Sequence, residues 1–144
     1  MESLNFDLGV KTFSINDSYE ISFNPSDWNF TQKIADTFEA LSERQEKIES
    51  ALKSVQNMRE FFVTMEELDG EMREYIDRIF NKPLCENVFG DVNLYSIAGG
   101  APVWFNFLIS LWDTCDDNLT RESKVKNPKI AKYLDKYAAA QAKG

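Results

Sequence analysis

The chain has 144 residues, 43% of them apolar, with 16 basic and 24 acidic side chains, two cysteines and no histidine. That length supports one core without a disulfide or metal staple, and the missing imidazole excludes Ser-His-Asp and Cys-His nucleophilic sites and the commonest zinc ligand. No apolar run approaches the roughly 18 residues of a membrane span, and Met1-Glu2-Ser3 lacks the basic and apolar regions of a signal peptide. A cytoplasmic protein with no membrane partner is expected.

The net charge of −8 is uneven. From Ser123 onward six lysines (Lys124, Lys126, Lys129, Lys132, Lys136 and Lys143) face one acid, Asp135, a local +5 that leaves −13 on residues 1–122. An acidic body repels phosphate backbones, so nucleic acid is a disfavoured partner and would be confined to the tail. Cys85 and Cys115 stand thirty residues apart without a CxxC spacing and read as reduced core thiols.

In chain order, the first element is a β-hairpin within residues 8–24. Phe13 and Ile15, then Tyr19, Ile21 and Phe23, alternate around Asn16-Asp17-Ser18, where Asn and Asp tolerate a left-handed turn. Two strands alone are marginal in water, so the hairpin must lie on something apolar. Asn24-Pro25-Ser26-Asp27 starts a helix, with Asn24 or Ser26 as the cap and Asp27 at the positive end of the dipole. Phe30, Ile34, Phe38, Leu41, Ile48, Leu52 and Val55 then recur at helical spacing, which predicts a long amphipathic helix from about Trp28 to Val55. A second series, Met58, Phe61, Phe62, Met65, Leu68, Met72, Tyr75, Ile76, Ile79 and Phe80, fits either one continuous rod or a helix folded back on the first with the bend at Gln56-Asn57, and the fold-back is preferred because a rod from Trp28 to Phe80 would leave its apolar stripe in water.

Asn81-Lys82-Pro83 ends that helix and begins a short one, which Gly90 terminates. A further short helical stretch is expected over Val92 to Ala98. Gly99-Gly100-Ala101-Pro102 then launches the most apolar segment, Val103 to Trp112, which reads as a helix buried around nearly all of its circumference. The expected architecture is mainly α with minor β: a hairpin packed on a helical bundle, helices spanning 27–121. Residues 1–122 form the acidic domain and 123–144 a basic, partly mobile tail.

Two acidic groups invite a metal. Glu66, Glu67, Asp69, Glu71, Glu74 and Asp77 include an ExxD, but they lie on about three turns of one helix without a facing pair, and a solvated face is the better reading. Asp113, Asp116 and Asp117 share a helix face able to attract a hard cation, yet acids there oppose the dipole and Asn118-Leu119-Thr120 reads as termination, so a helix end turned to solvent is expected. No catalytic residue, metal or cofactor is expected. The candidate partner-binding residues are Trp28, which falls outside the 30/34/38 seam, and the tail stripe Ile130, Tyr133, Leu134 and Tyr137 with Lys129, Lys132 and Lys136 around it.

Three stretches carry a resemblance: Leu8-Gly9-Val10-Lys11 with Ile21-Ser22-Phe23-Asn24-Pro25-Ser26-Asp27, Glu71-Met72-Arg73-Glu74-Tyr75-Ile76-Asp77 leading into Ile79-Phe80, and Phe89-Gly90-Asp91-Val92-Asn93-Leu94-Tyr95. Followed by the Gly-rich break, the apolar helix and Asn127-Pro128-Lys129-Ile130-Ala131-Lys132-Tyr133, the chain resembles small proteins of the tail-gene cluster of phages and prophages of Gram-positive bacteria, a group similar to tail assembly chaperones. The resemblance implies a non-catalytic helper in the host cytoplasm that binds the helical tape measure protein, or the tail tube protein, and yields to the growing tube. Self-association into a homo-oligomer stays open. The competing reading is an acidic phage inhibitor that imitates DNA and blocks a host nuclease, although Arg44, Lys47, Lys53, Arg59 and Arg73 interrupt its acidic rows. A metal-dependent hydrolase built on Asp113 is the third.

Overall fold

The computed structural model describes residues 1–123. Strands β1 (Lys11–Ile15) and β2 (Tyr19–Phe23) form an antiparallel hairpin in which Phe13 pairs with Ile21 and Lys11 with Phe23. Asn16 and Asp17 both adopt positive φ, 49° and 57°, the handedness that matches strand twist in a tight hairpin. The inward face of the hairpin rests on aromatic rings: Phe13 stacks on Phe23 at 4.6 Å, Phe23 on Phe30 at 4.7 Å, and Phe30 meets Phe80 edge-on at 5.5 Å. Each such pair contributes about 0.5–1.5 kcal/mol beyond its buried area, which supplies what two strands lack alone.

Helix α1 (Trp28–Lys53) is the longest element and runs antiparallel to α2 (Met58–Phe80). Asp27 itself is the N-cap, accepting from the Asn29 N–H, whereas the Asn24 carboxamide oxygen accepts from the Ser26 N–H in the preceding turn. The cap therefore lies one residue beyond Ser26 and three beyond Asn24, the two expected. The bend between the helices is fixed reciprocally: Asn57 Oδ1 accepts from the Glu60 N–H at 2.9 Å, and Glu60 Oε2 accepts from the Gln56 N–H at 2.9 Å. Asn81, at φ 53°, closes α2.

The short α3 (Cys85–Phe89) stops at Gly90, which takes φ 55°. The stretch expected to be helical over Val92 to Ala98 is instead an irregular loop running into β3 (Ile97–Ala98), which pairs with β4 (Ala101–Pro102). Helix α4 (Val103–Ser123) follows. It is not buried all round. Leu108, Ile109, Leu111, Trp112 and Cys115 are buried, while Asn106, Ser110, Asp113 and Asp117 form an exposed stripe. The core joins Ile34, Phe38 and Leu41 of α1 to Met72, Ile76 and Ile79 of α2, with Leu84, Cys85, Leu94 and the α4 residues closing it. Both cysteines are buried free thiols. Burial pushes the Cys85 thiol up and the Cys115 thiol up to about 12, so neither carries reactive thiolate.

Candidate protein-interaction site

The acidic run of α2 divides into two roles. Glu66, Glu67, Glu71 and Glu74 are exposed, but Asp69 and Asp77 are not part of a solvated face. Asp69 Oδ1 accepts from the Leu94 N–H at 2.7 Å, and its Oδ2 pairs with Arg73 Nε at 3.0 Å. Arg73 Nη2 donates to the carbonyls of Gly90 and Val92 at 2.7 and 2.8 Å, and Asn93 Nδ2 donates to the Met65 carbonyl at 3.0 Å. Asp77 Oδ1 accepts from the N–H groups of Leu84 and Cys85, both at 2.9 Å. Asp69 takes the Leu94 N–H and Arg73 the Val92 carbonyl, both near the start of the segment, and these bonds hold it in the loop conformation. The clamp holds Leu94 and Cys85 in the core.

The Asp113 group sits within α4 rather than at its end, because the helix continues through Asn118 to Ser123. Asn118 is buried, donates to the Thr114 carbonyl at 2.7 Å and accepts from Lys11 Nζ at 2.7 Å, tying β1 to α4. Desolvation, then the neighbouring Asp116 and Asp117, raise the Asp113 carboxyl above its ordinary value. Among the described residues no three His, Cys, Asp or Glu side chains gather as metal ligands, and no helix is long and apolar enough to cross a membrane.

The projecting end of the helical hairpin is different in kind. The joined core ends at Leu41 and Met72, and beyond it only Ile48 and Leu68 are buried between the two helices. Met58, Phe61, Phe62 and Val63 lie further out and are between 37 and 68% exposed. Met58, Phe61, Phe62 and the half-buried Met65 follow the i, i+3, i+4, i+7 spacing of one helix face. Their spacing continues the core face of Leu68 and Met72, but the joined core stops at Leu41 and Met72 and leaves them exposed. Glu60, Glu66 and Glu67 rim the stripe, with Arg59 beside it. Four large apolar side chains on one ridge, ringed by charge, have the form of a partner-binding patch.

Trp28 opens α1 and is 50% exposed. It stands at the opposite end of that helix, about 40 Å from the apolar ridge at 1.5 Å per residue, so the two do not form one site. Lys129, Ile130, Lys132, Tyr133, Leu134, Lys136 and Tyr137 lie outside the described residues. No family model, curated protein or solved structure matches the chain.

Proposed function

We propose that this protein is a non-catalytic tail assembly chaperone, which binds an amphipathic helix of the tape measure protein and holds it soluble before the tail tube forms. The observation that carries the reading is the uncovered ridge Met58-Phe61-Phe62-Met65 on the projecting end of the helical hairpin. An amphipathic helix laid along it would insert its own i, i+3, i+4 side chains, and the acids Glu60, Glu66 and Glu67 select a partner whose apolar stripe is flanked by lysine or arginine. The sequence resemblance implies the long helical tape measure protein as that partner.

Co-expression tests the reading. The wild-type chain should keep the tape measure protein soluble and co-purify with it. Phe62→Asp, at a 60% exposed position, should abolish co-purification while leaving the melting temperature within about 2 °C. Full capture by Phe62→Asp would refute the ridge as the site. Inhibition of a nuclease by both chains alike would instead support the acidic inhibitor.

A further inference from the structure

Helix α4 forms one wall of a groove of about 410 Å³, with the hairpin opposite it. Phe13 and Ile15 from the hairpin, Val88 and Phe89 from α3, and Val103 and Phe107 from α4 line it with half-buried apolar side chains. Its polar lining is neutral, including Ser14, Asn16, Asn106 and Ser110, and none of its lining residues is charged. A groove so lined suits apolar side chains tipped with hydroxyls, because a charge laid in it would lose its water without gaining a counter-charge.

The same chain carries a segment of that chemistry, attached to the groove wall itself. Residues 124–144, outside the described part, follow α4 directly. Ile130, Tyr133, Leu134 and Tyr137 have the i, i+3, i+4, i+7 spacing of one helix face, and Asn127-Pro128 before them offers a cap and a first-turn proline. Two of the four end in hydroxyls, which the serines and asparagines of the groove can satisfy. The order of charge fits as well. The exposed stripe of α4 is neutral at Asn106 and Ser110 and acidic toward Ser123, at Asp113 and Asp117. A tail folding back brings Lys124, Lys126 and Lys129 past the acids first and its apolar stripe to the neutral groove after them.

Reach selects this groove. Ser110 lies about 20 Å back along α4 from Ser123 at the helical rise. The chain from Ser123 to Ile130 spans up to about 23 Å when extended, so Ile130 reaches the level of Ser110. A helix from there carries Tyr137 about 10 Å further, level with Val103 at the far end of the groove. The apolar ridge is beyond that reach. Asn118 accepts from Lys11 Nζ, and the Thr31 hydroxyl bonds the Cys115 thiol, so α4 ends near the start of α1, about 40 Å from the ridge. The N-terminal segment is a poorer fit: with Asp7 holding the Gly9 N–H and Asn24 the Leu8 carbonyl, it has Leu4 and Phe6 to offer against four side chains on the tail. The short tether also sets the stripe at an effective concentration on the order of millimolar, which favours the groove of its own chain over that of a second copy.

We propose that the tail folds back as a helix antiparallel to α4 and lies in the hairpin–α4 groove of its own chain, with Ile130, Tyr133, Leu134 and Tyr137 turned inward. The groove is then closed by the chain that built it, and the lysines of the tail lie against the acidic end of the α4 stripe. The contact is independent of the apolar ridge, which stays open at the other end of α1.

Trypsin reads the occupancy, since Lys129, Lys132 and Lys136 are cut only when the helix leaves the groove. The full wild-type chain should be cut there about tenfold more slowly than Leu134→Asp, as a site open about one tenth of the time is cut. Equal rates would overturn the proposal. A nitroxide on Ala138→Cys of the full chain locates the helix; the native thiols are buried and stay unmodified. The amide resonances of Phe13, Ile15 and Phe107 should broaden while those of Phe61 and Phe62 keep their width. Absence of broadening at the groove, or broadening at the ridge instead, would overturn it. Mixing the nitroxide chain with an isotope-labelled wild-type chain separates the two tethers: broadened groove amides in the wild-type partner would assign the groove to a second copy and overturn it. So would a nitroxide on Asn5→Cys that broadens the groove amides where the Ala138 label does not, since the N-terminal segment would then be the occupant.

Discussion

The Asp77 carboxylate is the most economical place to test how the fold is held. One oxygen, Oδ1, accepts from both Leu84 and Cys85 N–H at 2.9 Å, and those residues are 0 and 1% exposed. Hydrogen bonds to a charged acceptor contribute about 1.5–3 kcal/mol each, and two that share an oxygen contribute less than twice one. Asp77→Ala should therefore cost about 3 kcal/mol, even though alanine is the better helix former by about half a kcal/mol within α2. Asp77→Asn keeps Oδ1 and loses only the charge, and should cost about 1 kcal/mol. For a chain of this length roughly 3 °C accompanies each kcal/mol, so calorimetry should show Tm falls of about 9 and 3 °C. Amide exchange at Leu84 and Cys85 should quicken in the Ala variant alone. Equal Tm values for the two variants, or unchanged exchange at those amides, would refute the claim that this carboxylate secures α3.

Two further outcomes follow from packing and charge. Phe38 is 4% exposed and meets Phe105 and Trp112 edge-on at 6.2 and 6.4 Å, so Phe38→Ala should cost about 3–5 kcal/mol in urea unfolding. An unchanged midpoint would mean that this part of the α1 seam is not core. The Asp113 carboxyl is raised in the fold, first by desolvation and then by Asp116 and Asp117. The folded state therefore disfavours its charged form, a cost present above the folded value and absent once pH falls below the ordinary one. Asp113→Asn should raise Tm at pH 7, and the gain should shrink as pH is lowered through the carboxylate range; a gain constant with pH would remove the electrostatic cause.

The elements legible in the sequence are those whose signal is local. Asn16-Asp17 between alternating apolar runs placed the hairpin turn, and the 30/34/38/41 spacing placed α1 to within two residues of its observed end at Lys53. Gln56-Asn57 marked the bend because Asn57 and Glu60 cap locally. What failed depended on distant partners. Val92 to Ala98 has nothing against a helix in itself; Asp69, Arg73 and Asn93, reaching across from or back to α2, decide otherwise together with the Trp104 and Val103 N–H groups, which donate to the Leu94 and Ser96 carbonyls. The exposed stripe of α4 was present in the sequence as Asn106, Ser110, Asp113 and Asp117 at spacings of four, three and four, but the aromatic density around it hid the period. The ridge could not be read at all. Met58, Phe61 and Phe62 continue the core periodicity of Leu68 and Met72 without a break, and periodicity records that a face is apolar, not what lies opposite it.

That ambiguity has an energetic meaning. Exposed apolar side chains forgo roughly 1.5–3 kcal/mol each relative to full burial, so a hairpin ending at Ile48 and Leu68 would lose no core and leave less apolar surface in water. The extra turns persist with a reciprocal cap at their bend and with Arg44 of α1 paired to Glu71 and lying 5.4 Å over the Tyr75 ring of α2. These contacts lie on the body side of the ridge and brace the two helices against each other, so the ridge is presented on a stiff support without contributing to the core. On the proposed function, stability and binding divide along α2. Substitutions of the buried Leu68, Met72, Ile76 and Ile79 act on the fold, whereas substitutions of Met58, Phe61 and Phe62 should, on the proposed function, act on capture of the partner.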